Sequence, residues 1–257
     1  MAKTKKRSRT NPKGKPAAVA AAKPEAAKGP LTLSIDIGGT GLKMMVLDAA
    51  GRPLNERARV ETPKPATPAA VLRALGGLIR QQPPFDRVSV GFPGVVHSGV
   101  VQTAPNLDKR FAGFDLAKAL ARVAKKPVRV CNDADVQGFG AIRGRGLEMV
   151  ITLGTGMGSG LYIDGRLVPN LELAHHFYSN GKTYEEYVGK AALDKVGRKR
   201  WRRRVERVVK HLEPVFNYQK LYIGGGNAKR LQVAELPANA KIVSNEAGVL
   251  GGIALWR

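Results

Sequence analysis

The segment IDIGGTGLKMMVLDAAGRPL at residues 35–54 returns in altered form as ITLGTGMGSGLYIDGRLVPN at residues 151–170. Each reads as an apolar strand, a Gly-Thr-Gly turn, a second strand, and then Asp, Gly and Arg. Gly39 lies 115 residues before Gly154, and Asp48 lies 116 before Asp164. A duplicated strand–turn–strand at this separation constrains the chain to two similar lobes, each offering a glycine hairpin to a shared cleft.

Around these hairpins, strand-like and helix-like patterns alternate. Residues 66–82 predict a helix with Val71, Leu72, Leu75, Leu78 and Ile79 on one face, and VSVGFPG predicts a strand ending in a turn. FDLAKALARVAKK predicts an amphipathic helix before the strand PVRVCND. KRWRRRVERVVKHLEPVF predicts a helix that buries Trp201, Val205, Val208, Val209 and Leu212, followed by the strand and turn KLYIGGGN. A last helix is expected from Asn245. Such alternation without eight repeats points to an α/β fold that is not a barrel.

The chain carries 43 Lys and Arg against 20 Asp and Glu, a net charge of +23 over 257 residues. Residues 1–30 hold nine of these cations and one Glu, so +15 remains in the body. A strongly basic body implies a polyanionic partner. The first thirty residues have too little apolar surface to fold and read as a disordered basic tail, able to bind polyanions nonspecifically. A single Cys, Cys131, excludes a disulfide framework or a Cys-rich zinc site and agrees with a reducing, cytoplasmic setting. No apolar run is long enough to span a bilayer, so no membrane partner is expected.

Neither GxGxxG nor GxxxxGK[ST] occurs at IDIGGTG. A turn of Gly and Thr still exposes backbone N–H groups, which suits phosphate oxygens. Asp36, at the end of its strand, is then placed to meet Mg²⁺ directly or through water. Plain hairpins are the alternative. In VRVCNDADVQGFGA, Asn132 and Asp133 follow a short apolar strand. A carboxylate there can take the proton of an attacking hydroxyl, and the alternative is an Asx cap opening the next helix. In NLELAHHFYSNGKTYEEYVG, Glu172, His175 and Glu185 offer charge-assisted bonds to sugar hydroxyls. An exposed acidic, His-containing loop is the alternative, and zinc is disfavoured because ELAHH lacks the HExxH spacing.

DIGGT, NDAD, LGTGMGSG, ELAH and IGGGN, in that order and spacing, resemble the ROK family of sugar kinases, and within it the polyphosphate glucokinases. The stretch GKTYEEYVG and the helix WRRRVERVVKHLEPVF are similar to that subgroup. The resemblance spans residues 31–257. It implies an actin-like, ribonuclease H-like fold of two lobes, built on a duplicated βαβ plan. Residues 31–132 form the smaller lobe, joined by a C-terminal helix at 245–257, and residues 133–244 the larger. It also implies transfer of a terminal phosphoryl group to the glucose 6-hydroxyl in a homodimer. By resemblance Asp133 is the general base, and Asn106, Asn132, Glu172, His175 and Glu185 hold the sugar. Asp36, Gly38, Gly39, Thr40 and Lys43 form the first phosphate loop, and Gly154, Thr155 and Gly156 the second. Gly224, Gly225 and Gly226 border the adenosine pocket of ATP-using relatives. The family's CxCGxxGC zinc cluster is absent from the sequence, so no structural zinc is expected, and Ala174 stands where the family usually has Gly.

Two donors are expected, polyphosphate and ATP. Polyphosphate is a ribbon of repeating charge without a base, and its receptor is a basic groove. Residues 195–210 hold nine Lys and Arg, and Arg198, Lys199, Arg202, Arg203 and Lys210 are expected to face outward, available to a polyanion. The alternatives are a strictly ATP-dependent hexose kinase and a non-enzymatic, sugar-sensing DNA-binding protein. The second is disfavoured by Asp133 and by the want of a helix-turn-helix in the tail.

Overall fold

The computed structural model describes residues 28–243 and 251–256; the basic tail up to residue 27 lies outside them. In the first half, β1 (Thr32–Ile37), β2 (Leu42–Leu47) and β3 (Ala58–Val60) lead to helix α1 (Pro68–Ile79) and β4 (Arg87–Phe92). A small hairpin of β5 (Val96–His97) and β6 (Val100–Val101) then precedes α2 (Leu116–Ala124) and β7 (Val128–Asn132). Helix α3 (Asp133–Phe139) joins this half to β8 (Leu147–Leu153), β9 (Met157–Ile163) and β10 (Arg166–Val168). A second hairpin, β11 (Phe177–Ser179) with β12 (Lys182–Thr183), leads to α4 (Tyr184–Val188), α5 (Lys190–Phe216), β13 (Lys220–Gly224) and β14 (Ala240–Ile242).

The two five-stranded sheets have the same plan, β3-β2-β1-β4-β7 and β10-β9-β8-β13-β14. In each, three antiparallel strands are extended by two parallel ones. The sequence echo is therefore a duplication of whole sheets. The separation grows from 115 residues at the turns to 116 at Asp48 and Asp164 because β9 has seven residues where β2 has six.

Each sheet has its own core. In the first half, Leu33, Ile35 and Ile37 alternate with the inward side chains of Val88 and Val90, and Val71, Leu75, Leu78 and Ile79 of α1 close over them. Helix α1 starts where Thr67 caps the amide of Ala70 and Pro68 sets the first turn. The second core gathers Met149, Ile151 and Leu153 with Trp201, Val205, Val208, Val209 and Leu212, the stripe expected from its spacing.

Two expectations change. The basic helix is longer than residues 199–216: it starts at Lys190 and is broken at Gly197, whose φ of 76° and ψ of 160° leave the helical region. The helix expected from Asn245 lies partly outside the described residues. What is described of it, Gly251–Trp256, is a 3₁₀ turn packed on β1, β4 and α3. Ser89 donates to Gly252 O at 2.6 Å, Trp256 Nε1 donates to Ser89 at 2.9 Å, and the Arg129 guanidinium lies 4.6 Å from the Trp256 ring. Glycines in place of a full helical turn let the chain press against the sheet: a Cβ on Gly252 would run into Ser89 and Ser34. The described C-terminal turn thus belongs to the first sheet's body.

Candidate active site

The parallel strands β1, β4, β7, β8 and β13 all end at one cleft, the position where α/β sheets bind ligands. A cavity of about 640 Å³ opens there. Asp36 leaves β1, Asn132 and Asp133 leave β7, and both glycine turns point into it. Asn106, Glu172, His175 and Glu185 line it too, as do Lys43, Gly225 and Gly226. Sixteen of the residues read from the sequence thus meet around one space, from segments up to 190 positions apart.

Asp133 is the electrostatic centre. Burial pushes its carboxyl up to about 7, and the Asp36 carboxylate across the cavity adds to the shift. The Ala134 amide, which donates to Asp133 Oδ1 at 2.8 Å, opposes it, and Glu172 and Asp135 push further upward. A carboxylate poised near neutrality suits a general base. Behind it, burial also lifts Asp135 to about 7, and one of its oxygens is buried with no hydrogen-bond partner. Burial and the nearby Asp135 push the Cys131 thiol up to about 12, which removes Cys131 as a nucleophile.

Both sequence readings of Asn132 and Asp133 meet here. Asn132 does cap α3, with Oδ1 accepting from Ala134 N at 2.8 Å and Asp135 N at 3.3 Å. Its amide donates to Gly94 O and to Glu172 Oε1, each at 3.2 Å. The cap therefore fixes where Asp133 emerges, and the Asn132 amide orients Glu172. Glu172 sits 3.5 Å from His175 Nε2, and burial raises its carboxyl, with His175 opposing and Glu185 adding. Ala174 is buried and its methyl faces the cavity wall beside them.

The hairpins are closed by Gly38 N donating to Gly41 O and Gly154 N donating to Gly156 O, both at 3.0 Å. This leaves the N–H groups of Gly39, Thr40 and Thr155 without backbone acceptors, open to an anion. A Cβ on Gly156 would displace the Glu185 carboxylate, so the second turn and α4 touch. Gly225 has φ of 88° and packs on the Leu153 backbone, a position for Gly alone. Gly224 is buried behind it and does not reach the cavity.

The basic helix does not join the site: Arg198, Lys199, Arg202 and Arg203 are absent from the cavity wall. Arg202 is also not free to face outward. Its side chain is 17% exposed and its Nε lies 3.9 Å from Glu235. Lys210 is engaged by Glu206 at 2.8 Å. What α5 does is hold α4, through Trp201 Nε1 donating to Val188 O at 2.7 Å and Arg204 donating to Tyr187 O at 3.3 Å.

Sequence reasoning passed over Gln137, Thr152, Ser159 and Arg57, all on the cavity wall. Gln137 was legible as the residue one helical turn after Asp133, and Thr152 as the polar interruption of a buried strand. Arg57 carried no signal, since it sits in an irregular stretch before β3.

Comparison with known proteins agrees with this architecture. A polyphosphate glucokinase of Mycobacterium tuberculosis is 32% identical over 234 residues, covering 84% of this chain and 88% of its own. The inorganic polyphosphate/ATP-glucomannokinase of an Arthrobacter strain superposes with a TM-score of 0.80 at 34% identity, covering 89% of this chain and all of its own. A ROK glucokinase of Streptomyces griseus shares the fold at 22% identity, with a TM-score of 0.74 and coverage of 88% and 98%. The ROK family profile matches residues 32–171, from β1 to just past β10. With the duplicated sheets, the paired glycine hairpins and Asp133 between them, the chain belongs to the ROK family and has its two-lobed, actin-like fold.

Proposed function

We propose that the protein is a glucokinase that moves a terminal phosphoryl group from inorganic polyphosphate, and also from ATP, to the 6-hydroxyl of glucose. The observation that carries this reading is the cavity in which a carboxyl held near 7 stands between two glycine hairpins open to an anion and the Glu172, His175 and Glu185 cluster. The likenesses to a polyphosphate glucokinase and to a polyphosphate/ATP-glucomannokinase, over 84% and 89% of the chain, support it.

In this mechanism Glu172, His175 and Glu185 orient the sugar, with Asn132 fixing Glu172. Asp133 accepts the 6-hydroxyl proton as that oxygen attacks the terminal phosphorus. The new O–P bond forms as the phosphoanhydride bond breaks, and the charge on the phosphoryl oxygens is met by the open N–H groups of the two hairpins. Asp36 and Asp133 repel each other across the cavity, and Asp36 already draws Lys43 Nζ to 2.7 Å. Hard oxygen donors in mutual repulsion fit Mg²⁺, which is held by one or two carboxylates together with phosphate oxygens. Asp36 would hold that ion, directly or through water, leaving Asp133 as the base. Bound there, Mg²⁺ supplies charge neutralisation on the phosphoryl group. Residues 31–132 and the C-terminal segment form one lobe of this cleft, and residues 133–244 the other.

The test is direct: purified protein, glucose and Mg²⁺ are given either polyphosphate or ATP. Glucose 6-phosphate forms with both donors. No product from either overturns the reading, and product from ATP alone overturns its polyphosphate half.

A pH profile tests the base. Because the folded Asp133 is held at about 7, its reactive ionised form is lost as pH falls through that value. The kcat/KM for glucose is expected to drop about tenfold per unit below pH ~7. Asp135 titrates nearby, so the same limb must persist in Asp135→Asn. A flat profile between pH 5 and 8 would remove Asp133 from the role.

A further inference from the structure

We infer that a polyphosphate donor leaves the cleft over the free edge of the first sheet, along a row of cations formed by Lys43, Arg59 and Arg57, and not along the basic helix. The inference rests on the polyphosphate reading above and names the residues that recognise the distal part of the donor.

The row follows from strand register. Asp36 on β1 pairs with Lys43 on β2, and Lys43 pairs with Arg59 on β3. Residues directly opposite on neighbouring strands share a face of the sheet. Asp36, Lys43 and Arg59 therefore form one line across three strands. It starts at the cavity and ends on β3, the outermost strand of that sheet. At an interstrand spacing of about 4.8 Å the line spans roughly 10 Å. Arg59 also packs against the first phosphate turn, its Nε 3.0 Å from where a Cβ on Gly41 would stand. Arg57, two residues before Arg59, lines the cavity itself.

Charge makes the row a receptor. Lys43 is neutralised by Asp36 at 2.7 Å, but Arg57 and Arg59 are exposed and in no ion pair among the described residues. Glu56 and Glu61, the nearest acids along the chain, do not line the cavity. Two uncompensated guanidinium groups at the mouth of an anion site raise the local potential and bind bidentately to phosphate oxygens. The cations of α5 differ in place: none of Arg198, Lys199, Arg202, Arg203 and Lys210 lines the cavity. Arg202 and Lys210 are paired with Glu235 and Glu206, and Lys199 and Arg203, though exposed, stand away from the cavity wall. A nucleotide donor would diverge from this row, since the turn of Gly225 and Gly226 lies on the opposite lobe. The row is thus specific for a donor that continues as a chain of phosphates.

The experiment compares Arg57→Ala/Arg59→Ala with Lys199→Ala/Arg203→Ala in the full chain, measuring KM for long-chain polyphosphate, ATP and glucose, and the salt dependence of kcat/KM. The first variant should raise the polyphosphate KM about tenfold or more and flatten its salt dependence, with a several-fold smaller change in the ATP and glucose KM. The second should leave the polyphosphate KM within about twofold. A polyphosphate KM that rises only in the second variant, or equally in both, overturns the inference, as does an equal rise in the polyphosphate and ATP KM of the first. Wild-type protein active with ATP but not with polyphosphate overturns the donor reading and this inference together. Wild-type activity with both donors and an unaffected first variant overturns this inference alone.

Discussion

Asp133→Asn is expected to lower kcat by about 10²–10⁴-fold, the usual contribution of a positioned base, while glucose binding by calorimetry stays within about threefold. The amide keeps the shape of the side chain and its Oδ1 still accepts from Ala134 N, so the cap of α3 and the placement of Asn132 survive. Only the proton acceptor is lost. The same substitution has a signed effect on stability. Asp133 is raised from an ordinary carboxyl value to about 7 in the folded chain. Its contribution to stability is present at low pH, below its unfolded value, and is lost as pH rises through about 7. Asp133→Asn removes that loss, so its melting temperature should gain on wild type at pH 8 and not at pH 4. Near wild-type turnover would exclude Asp133 as the base. A variant less stable than wild type at pH 8 would mean that its carboxylate is compensated in the folded protein, against the repulsion from Asp36.

The second large effect is on the half of the chain that carries Glu172, His175 and Glu185. Trp201 is fully buried, and its indole N–H donates to Val188 O at the end of α4. Trp201→Ala should cost about 3–5 kcal/mol, from lost burial and the cavity left behind. For a chain of this size that lowers the melting temperature by on the order of 10 °C. Because Glu185 sits on α4, the glucose KM should rise in the folded fraction as well. Trp201→Phe retains most of the packing and leaves Val188 O unpaired, so its loss should be smaller, about 1–3 kcal/mol. Melting of Trp201→Ala within 2 °C of wild type would show that α5 does not hold this lobe together.

Much of this site was legible because local chemistry demanded it. Gly-Thr-Gly turns between apolar strands have few uses, and their repetition with matching flanks announced two sheets of one plan. Asn132 was legible as a cap and as a site residue, and the structure makes the two roles one: the capped helix start is what aims Asp133 and Glu172. The buried stripe of α5 followed from 3.6-residue periodicity. The charge on the same helix did not translate into a site, because a run of cations says nothing about which way the helix faces or which carboxylates arrive from elsewhere. Glu235 lies 33 residues from Arg202, and no local pattern joins them. The break at Gly197 was equally hidden, since a lone glycine inside a helical pattern is often tolerated.

By itself, the sequence determined the duplicated α/β plan, the glycine turns and the capping of α3, because each rests on short-range chemistry, while resemblance to the ROK family supplied most, not all, of the residues that meet in the cleft. The tertiary structure alone decided the rest. It set Asp36 against Asp133, so that burial and repulsion together lift a carboxyl to about 7. It leaned Glu185 onto Gly156, seated Trp256 on Ser89, and aligned Asp36, Lys43 and Arg59 across three strands. These are pairings between distant segments, fixed by sheet register and by desolvation, and both come into being only when the two lobes have folded and closed on one cavity.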